Sequence, residues 1–418
     1  MRETKYSEML NIISYFLAYS CLIYAYLLGR ILSIFRLVKA PKIGTRNKNN
    51  VCFWLCCDGN GHFTQFMELT YQINKKKKVN CVFINSNPHT VIPSYLIEFC
   101  ESNNITIEYF NGTSLNECFS GGKMNYLKVF VFSVLNIPNL LSRLNHIMDR
   151  LNTHKCATII NLYSAECSLY SYITNLGCDI IVAATQFKYL INEKPPIRSI
   201  NDIVGSGGMY FLNNFMTISK PKKIVCISPI PSKCDTIKTK VGTINVIPAT
   251  VPQLTSSNPT SCKIVCVYCL YNIYVNNIIQ VASKFPFVQF HIFTPGTDEY
   301  IIHNVHINMI NKQKFKDVMS NASMYIGTAG IESVCEAISL KIPIITIPVD
   351  KHYEQYTNAY LFSKSLSQIH KVDSFSDTRS ICEKIKIILN SDLSEYKLEC
   401  DKIILYYSTI GDKLRELF

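Results

Sequence analysis

The sequence predicts an α/β chain of two Rossmann-like, doubly wound domains facing a cleft, preceded by an N-terminal membrane helix. Three observations carry that expectation. Apolar runs such as Val51–Cys57 and Ile342–Ile347 have the composition of strands buried on both faces of a parallel sheet. Strand and helix signals alternate along most of the chain, and two strand signals end in Gly-rich turns that open a helix. Met9–Gly29 holds no charged residue over about 21 positions, the length needed to cross a bilayer core.

The bulk composition fits such a chain. Its 418 residues, 48% of them hydrophobic, can fill two cores and exclude a disordered protein. The 42 Lys and Arg against 30 Asp and Glu give a net charge of +12, which favours an anionic partner. No nucleic-acid module is visible, so a nucleotide sugar or an acidic lipid surface fits better than nucleic acid. The run Lys75–Lys78 reads either as a helix end near a membrane or as a solvated helix terminus. The 18 Cys are scattered and read as small core residues in a reducing compartment. Cys266 and Cys269 have CxxC spacing, but without a second pair they form no zinc cage.

Taken in order, residues 1–45 form the anchor and its basic flank. Arg30, Arg36, Lys39 and Lys42 follow the apolar stretch, which places the rest of the chain in the cytosol by the positive-inside rule. Tyr15, Tyr19, Tyr24 and Tyr26 leave an interfacial helix open beside a single-pass one. The first domain spans 46–245. Its strand Val51–Cys57 runs into Asp58-Gly59-Asn60-Gly61-His62, where glycines permit a sharp turn into the helix Phe63–Asn74 and set His62 at the C-terminal edge of the sheet. Strands follow at Val79–Asn85, Ile105–Phe110, Ala157–Asn161, Ile180–Ala184 and Lys223–Ser228, with a helical region over Tyr126–Leu151. Ser114–Lys123 and Asn192–Gly208, rich in Gly, Pro and polar residues, read as loops over the crevice. Residues 246–261, rich in Pro, Ser and Thr, read as a linker.

The second domain, 262–392, has strands at Lys263–Tyr268, Val288–Phe293, Met324–Ile326 and Ile342–Ile347, and a helix over Lys312–Asn321. Gly327, Thr328, Ala329 and Gly330 form a turn open to close backbone approach, and the helix after it offers unpaired N–H groups and a positive dipole end to a phosphate. Glu336 lies about a turn and a half into that helix, within reach of a ribose hydroxyl pair. His352, Glu354, Gln355 and Asn358 gather where the next strand meets its helix. The closing segment 393–418 reads as helical.

The stretch Tyr325–Phe362 resembles the donor-binding half of GT-B glycosyltransferases, especially the lipid-linked N-acetylglucosamine transferase of peptidoglycan synthesis and the UDP-glycosyltransferases. The resemblance implies that Gly327–Gly330 hold a diphosphate, that Glu336 binds the ribose, and that Glu354, Gln355 and Asn358 hold the sugar. It also places Met309-Ile310 against the uracil. The turn Gly59-Asn60-Gly61-His62, with Thr64 and Gln65, is similar to the one that opens the acceptor domain of the same enzymes, which implies that His62 is the catalytic base. Asp58 and Glu166 are candidates to orient it. In that fold the last segment crosses back onto the first domain. The expected function is transfer of a hexose or N-acetylhexosamine from a UDP-sugar to a lipid or other hydroxyl acceptor, inverting, with no metal and no cofactor beyond the donor substrate. The alternatives are a UDP-sugar 2-epimerase on the same fold, a non-catalytic membrane scaffold, or one subunit of a split transferase.

Overall fold

The computed structural model describes residues 43–56, 61–85, 92–110, 119–120, 123–124, 142–251, 263–296 and 298–417. The strands β1 (Asn47–Leu55), β2 (Lys78–Asn85) and β3 (Thr106–Phe110) start the first sheet. After a separate antiparallel pair, β4 (Phe119–Ser120) with β5 (Lys123–Met124), the sheet continues with β6 (Cys156–Leu162), β7 (Asp179–Ala184), β8 (Lys223–Ser228), β9 (Thr236–Thr239) and β10 (Gly242–Pro248). The strand order is β3-β2-β1-β6-β7-β8-β10-β9, parallel except for β9 against β10. The second sheet comprises β11 (Lys263–Tyr268), β12 (Val288–Thr294), β13 (Tyr300–Ile302), β14 (Val305–Met309), β15 (Met324–Gly327), β16 (Ile344–Thr346) and β17 (Ile369–Lys371). Its order is β13-β14-β12-β11-β15-β16-β17, parallel except for the β13 edge.

The apolar runs become central strands because helices cover both faces. Along β1, Phe53 meets Phe66 of the helix Gly61–Ile73 edge-on, with centroids 5.0 Å apart. Trp54, on the opposite face, stacks on Phe83 at 4.8 Å and packs against Phe110 and Tyr170. Both positions are fully buried, so alternation cannot show which side faces water. The described cysteines are free thiols. Cys52, Cys81 and Cys156 bring their sulfurs within 4.8 Å of one another in this core, and Cys266 and Cys269 are likewise buried.

The C-terminal helices Ser394–Ser408 and Ile410–Leu417 tie the two sheets together. Tyr396 Oη donates to the Ile342 carbonyl at 2.8 Å beside the second sheet, and Tyr407 Oη donates to the Pro229 carbonyl at 2.7 Å beside the first. Leu414 and Leu417 then pack on Leu69 and Ile73, at the far end of the helix Gly61–Ile73.

Two expectations change. Residues 200–208 are helical, part of Ile200–Met216, and only 192–199 remain a loop. Ser199 caps the helix by accepting from the Asp202 N–H, the Asp202 carboxylate accepts from the Arg198 N–H at 2.9 Å, and Tyr189 packs on the buried Gly205–Gly207 stretch. Cap and packing outweigh the helix cost of three glycines, about 1 kcal/mol each relative to Ala. The loop 192–199 reaches the second domain: Pro196 accepts from Tyr356 Oη at 3.2 Å, and Arg198 pairs with Asp373 at 2.7 Å. Second, β10 runs to Pro248, three residues into the expected linker, because Val246 and Ile247 pair with β8 in the core. Among the described residues no helix is long and apolar enough to cross a membrane. Met9–Gly29 lies outside the described residues, as do most of Ser114–Lys123, the Tyr126–Leu141 part of the expected helix, and 252–261 of the linker.

Candidate functional site

In an open parallel sheet, loops leave in opposite directions where the strand order reverses, and a crevice forms beyond the strand ends there. The first sheet reverses between β1 and β6, and the second between β11 and β15. Both Gly-containing turns leave from those strands, one after β1 and one after β15. The two helices that follow, Gly61–Ile73 and Ile331–Ser339, therefore start at facing crevices.

They touch. Gln65 Nε2 donates to Glu332 Oε1 at 2.6 Å. Glu332 lies in the first turn of its helix, and its carboxylate sits so close to Gly61 that a Cβ there would fall 2.5 Å from it. Glycine at 61 thus serves close approach between the domains. Gly59 and Asp58 lie outside the described residues. His62 is 8% exposed, and its Nδ1 has no hydrogen-bond partner among the described residues. Burial lowers the His62 pKa, and the Glu332 and Glu354 carboxylates act the other way. The charges bearing on His62 thus come from the opposite domain. Glu166, in contrast, accepts the Ser164 hydroxyl at 2.8 Å. Thr64 is half-buried beside Gln65.

Across the cleft, Gly327 is required by its own strand: a Cβ there would run into the buried Tyr325 phenol, whose hydroxyl donates to Ser333 Oγ at 2.9 Å. At Gly330 a Cβ would meet only Ser333 Oγ, at 3.9 Å, so the glycine leaves open space before the helix. Thr328 and Ala329 are buried, and the Ala329 carbonyl accepts from Asn358 Nδ2 at 2.8 Å. Gln355 Oε1 accepts from the Val349 N–H at 2.9 Å, and Glu354 Oε1 accepts from Gln186 Nε2 of the first domain at 3.1 Å. Asn358 and Gln355 therefore brace the turn and the loop after β16, while Glu354 faces the other domain. Met309 is exposed at the end of β14.

Glu336 stands apart from this group. It is 9% exposed, and burial raises its carboxyl to about 7 against the pull of Lys316 and Lys312. A carboxyl that titrates higher folded than unfolded holds its proton better in the folded state, so its stabilising effect is present at low pH and is lost as pH rises through about 7. Thermal melts of wild type and Glu336→Gln from pH 5 to 8 should show the wild type losing more stability over that window. Parallel curves would mean that Glu336 is solvated.

Glu332 and Gln186 make contacts across the cleft, and Lys188 is buried two residues after Gln186; none belongs to a motif. Glu332 follows the Gly-rich turn by two residues, which is the only sequence signal that could have singled it out.

Residues 260–402 match the model of the glycosyltransferase family 28 C-terminal domain. No curated protein matches the chain by sequence. Among solved structures, the chain is similar to a complex between a UDP-glucosyltransferase from Polygonum tinctorium capable of glucosylating indoxyl and 3,4-dichloroaniline, at 13% identity over 91% of this chain and 98% of that one, TM-score 0.62. It is also similar to Phytolacca americana UGT2 complexed with UDP-2fluoro-glucose and pterostilbene, at 12% identity over 88% and 98%, TM-score 0.61. A third likeness is to the spinosyn rhamnosyltransferase SpnG complexed with thymidine diphosphate, at 12% identity over 88% and 99%, TM-score 0.57. What these structures share with the chain is the GT-B fold.

Proposed function

We propose that this chain, a glycosyltransferase of the GT-B type, moves a hexose or N-acetylhexosamine from a UDP-sugar to a lipid or other hydroxyl acceptor with inversion at the anomeric carbon. The observation that carries the reading is the Gln65–Glu332 contact at 2.6 Å, which joins the His62 turn to the start of the helix after the Gly-rich turn. In this reading the diphosphate lies against Gly327–Gly330 and the N–H groups of the helix Ile331–Ser339, which carry its charge in place of a metal ion. Glu336 takes the ribose, and Glu354, Gln355 and Asn358 line the sugar. The acceptor oxygen attacks the anomeric carbon, its proton passes to the His62 imidazole, and the bond to the diphosphate breaks with its electron pair on UDP. Burial keeps His62 neutral near pH 7, as a base requires.

Met9–Gly29 and its basic flank hold the chain at a membrane, with both domains on the cytosolic face. A chain lacking the residues before Lys39 should then leave the membrane pellet and stay folded. Its retention in the pellet after a high-salt wash would move the anchor elsewhere.

Detergent-solubilised protein incubated with a panel of UDP-sugars tests the whole reading. UDP release that rises when lipid extract is added is expected. Because one similar structure holds thymidine diphosphate, the panel includes dTDP-sugars. Release from a dTDP-sugar alone would change the donor, and a rearranged sugar without acceptor would make the protein an epimerase.

A further inference from the structure

Lys188 lies four residues past the end of β7 and is 2% exposed. No other Lys or Arg among the described residues is buried. A lysine ammonium is rarely buried without an anion beside it, because removing its charge from water costs more than a neutral acceptor returns. Lys188 has little of that compensation. Its Nζ donates to the Thr185 carbonyl at 3.2 Å, and it forms no ion pair with any described residue. Among the described residues, two of its three N–H donors meet no acceptor.

The surroundings define what is missing. Gln186, two residues earlier, reaches the Glu354 carboxylate of the second domain, so this loop is pressed against the cleft. Burial lowers the Lys188 pKa, while Glu354 and, more weakly, Glu332 raise it without pairing with it. Glu332 marks the first turn of the helix Ile331–Ser339, where Gly330 leaves open space. A cleft that already holds these two carboxylates would repel a diphosphate unless a cation were also present.

We propose that Lys188 is the cationic half of the donor diphosphate site, its ammonium pairing with phosphate oxygens opposite the N-terminus of the helix Ile331–Ser339. The assignment rests on the donor reading given above. It makes the nucleotide a bridge between the sheets, since the helix belongs to one domain and the lysine to the other. It also puts a fixed positive charge beside the oxygen that becomes negative as the sugar departs.

The test is calorimetric titration of wild type and Lys188→Met with UDP and with uridine. UDP affinity should fall about 10- to 100-fold in the variant, the loss that follows removal of a charge-assisted hydrogen bond, while uridine affinity stays unchanged. Lys188→Gln, which keeps a donor for the Thr185 carbonyl, replaces Lys188→Met if the latter does not fold. Unchanged UDP affinity in a folded variant would overturn the assignment and leave the donor reading standing. An equal loss for UDP and uridine would make Lys188 structural. Wild type that binds neither UDP nor uridine would remove the donor reading, and Lys188 with it.

Discussion

His62→Ala should lower turnover about 100- to 10,000-fold and leave UDP affinity unchanged, because a positioned general base contributes that much to the chemical step and nothing to donor binding. Two features of the cleft support so large an effect. His62 is buried with a ring nitrogen that no described residue satisfies, and burial holds its pKa below the ordinary value. The neutral imidazole is then the resting form at pH 7, and kcat/KM should fall only as pH drops through that lowered value. If His62 merely helped to start its helix, its loss would cost about 1 kcal/mol of stability and leave turnover per folded molecule near normal. Melting curves and steady-state rates on one preparation separate the two, and near-normal turnover would remove His62 from the chemistry.

The second large effect is on stability. Trp54→Ala should cost about 3–5 kcal/mol, or roughly 6–20 °C in melting temperature for a domain of this size. The indole is fully buried, stacked on Phe83 and edged by Phe110 and Tyr170, so truncation leaves a cavity among rings that cannot close it. Its Nε1 has no hydrogen-bond partner among the described residues. Trp54→Phe, which keeps an aromatic ring and removes that N–H, should therefore cost much less. Differential scanning calorimetry of both variants decides, and equal losses would mean that the stacking geometry carries little of the stability.

The parts of this protein that were legible in the sequence are those where local chemistry leaves one solution. A strand ending at Gly327, with Gly330 opening the amphipathic helix that follows, needs no partner to be recognised, and neither does the apolar run before His62. The helix Ile200–Met216 was hidden because three glycines outweigh a cap in any local reading, and only its burial against Tyr189 and the second domain reverses that. Glu332 and Lys188 were hidden for another reason. An acidic residue early in a helix and a lysine just after a strand are ordinary surface features, and only the meeting of two domains turns them inward. The side chains that bear on His62 come from more than two hundred residues away, a separation that no motif records.

The C-terminal helices have a mechanical consequence. The chain passes between the sheets twice, once between Pro248 and Lys263 and once along Ser394–Leu417, so one body is tethered to the other at two points. Rotation about the line through both points stretches neither tether, and rotation about any other axis strains one of them. Leu414 and Leu417 fix the second point beside Ile73, at one end of a 13-residue helix whose other end is Gly61. That helix is a lever about 20 Å long. Ten degrees at the tether would move its tip by about 3.5 Å and Gln65, eight residues from Ile73, by about 2 Å, a displacement comparable to the Gln65–Glu332 hydrogen bond itself.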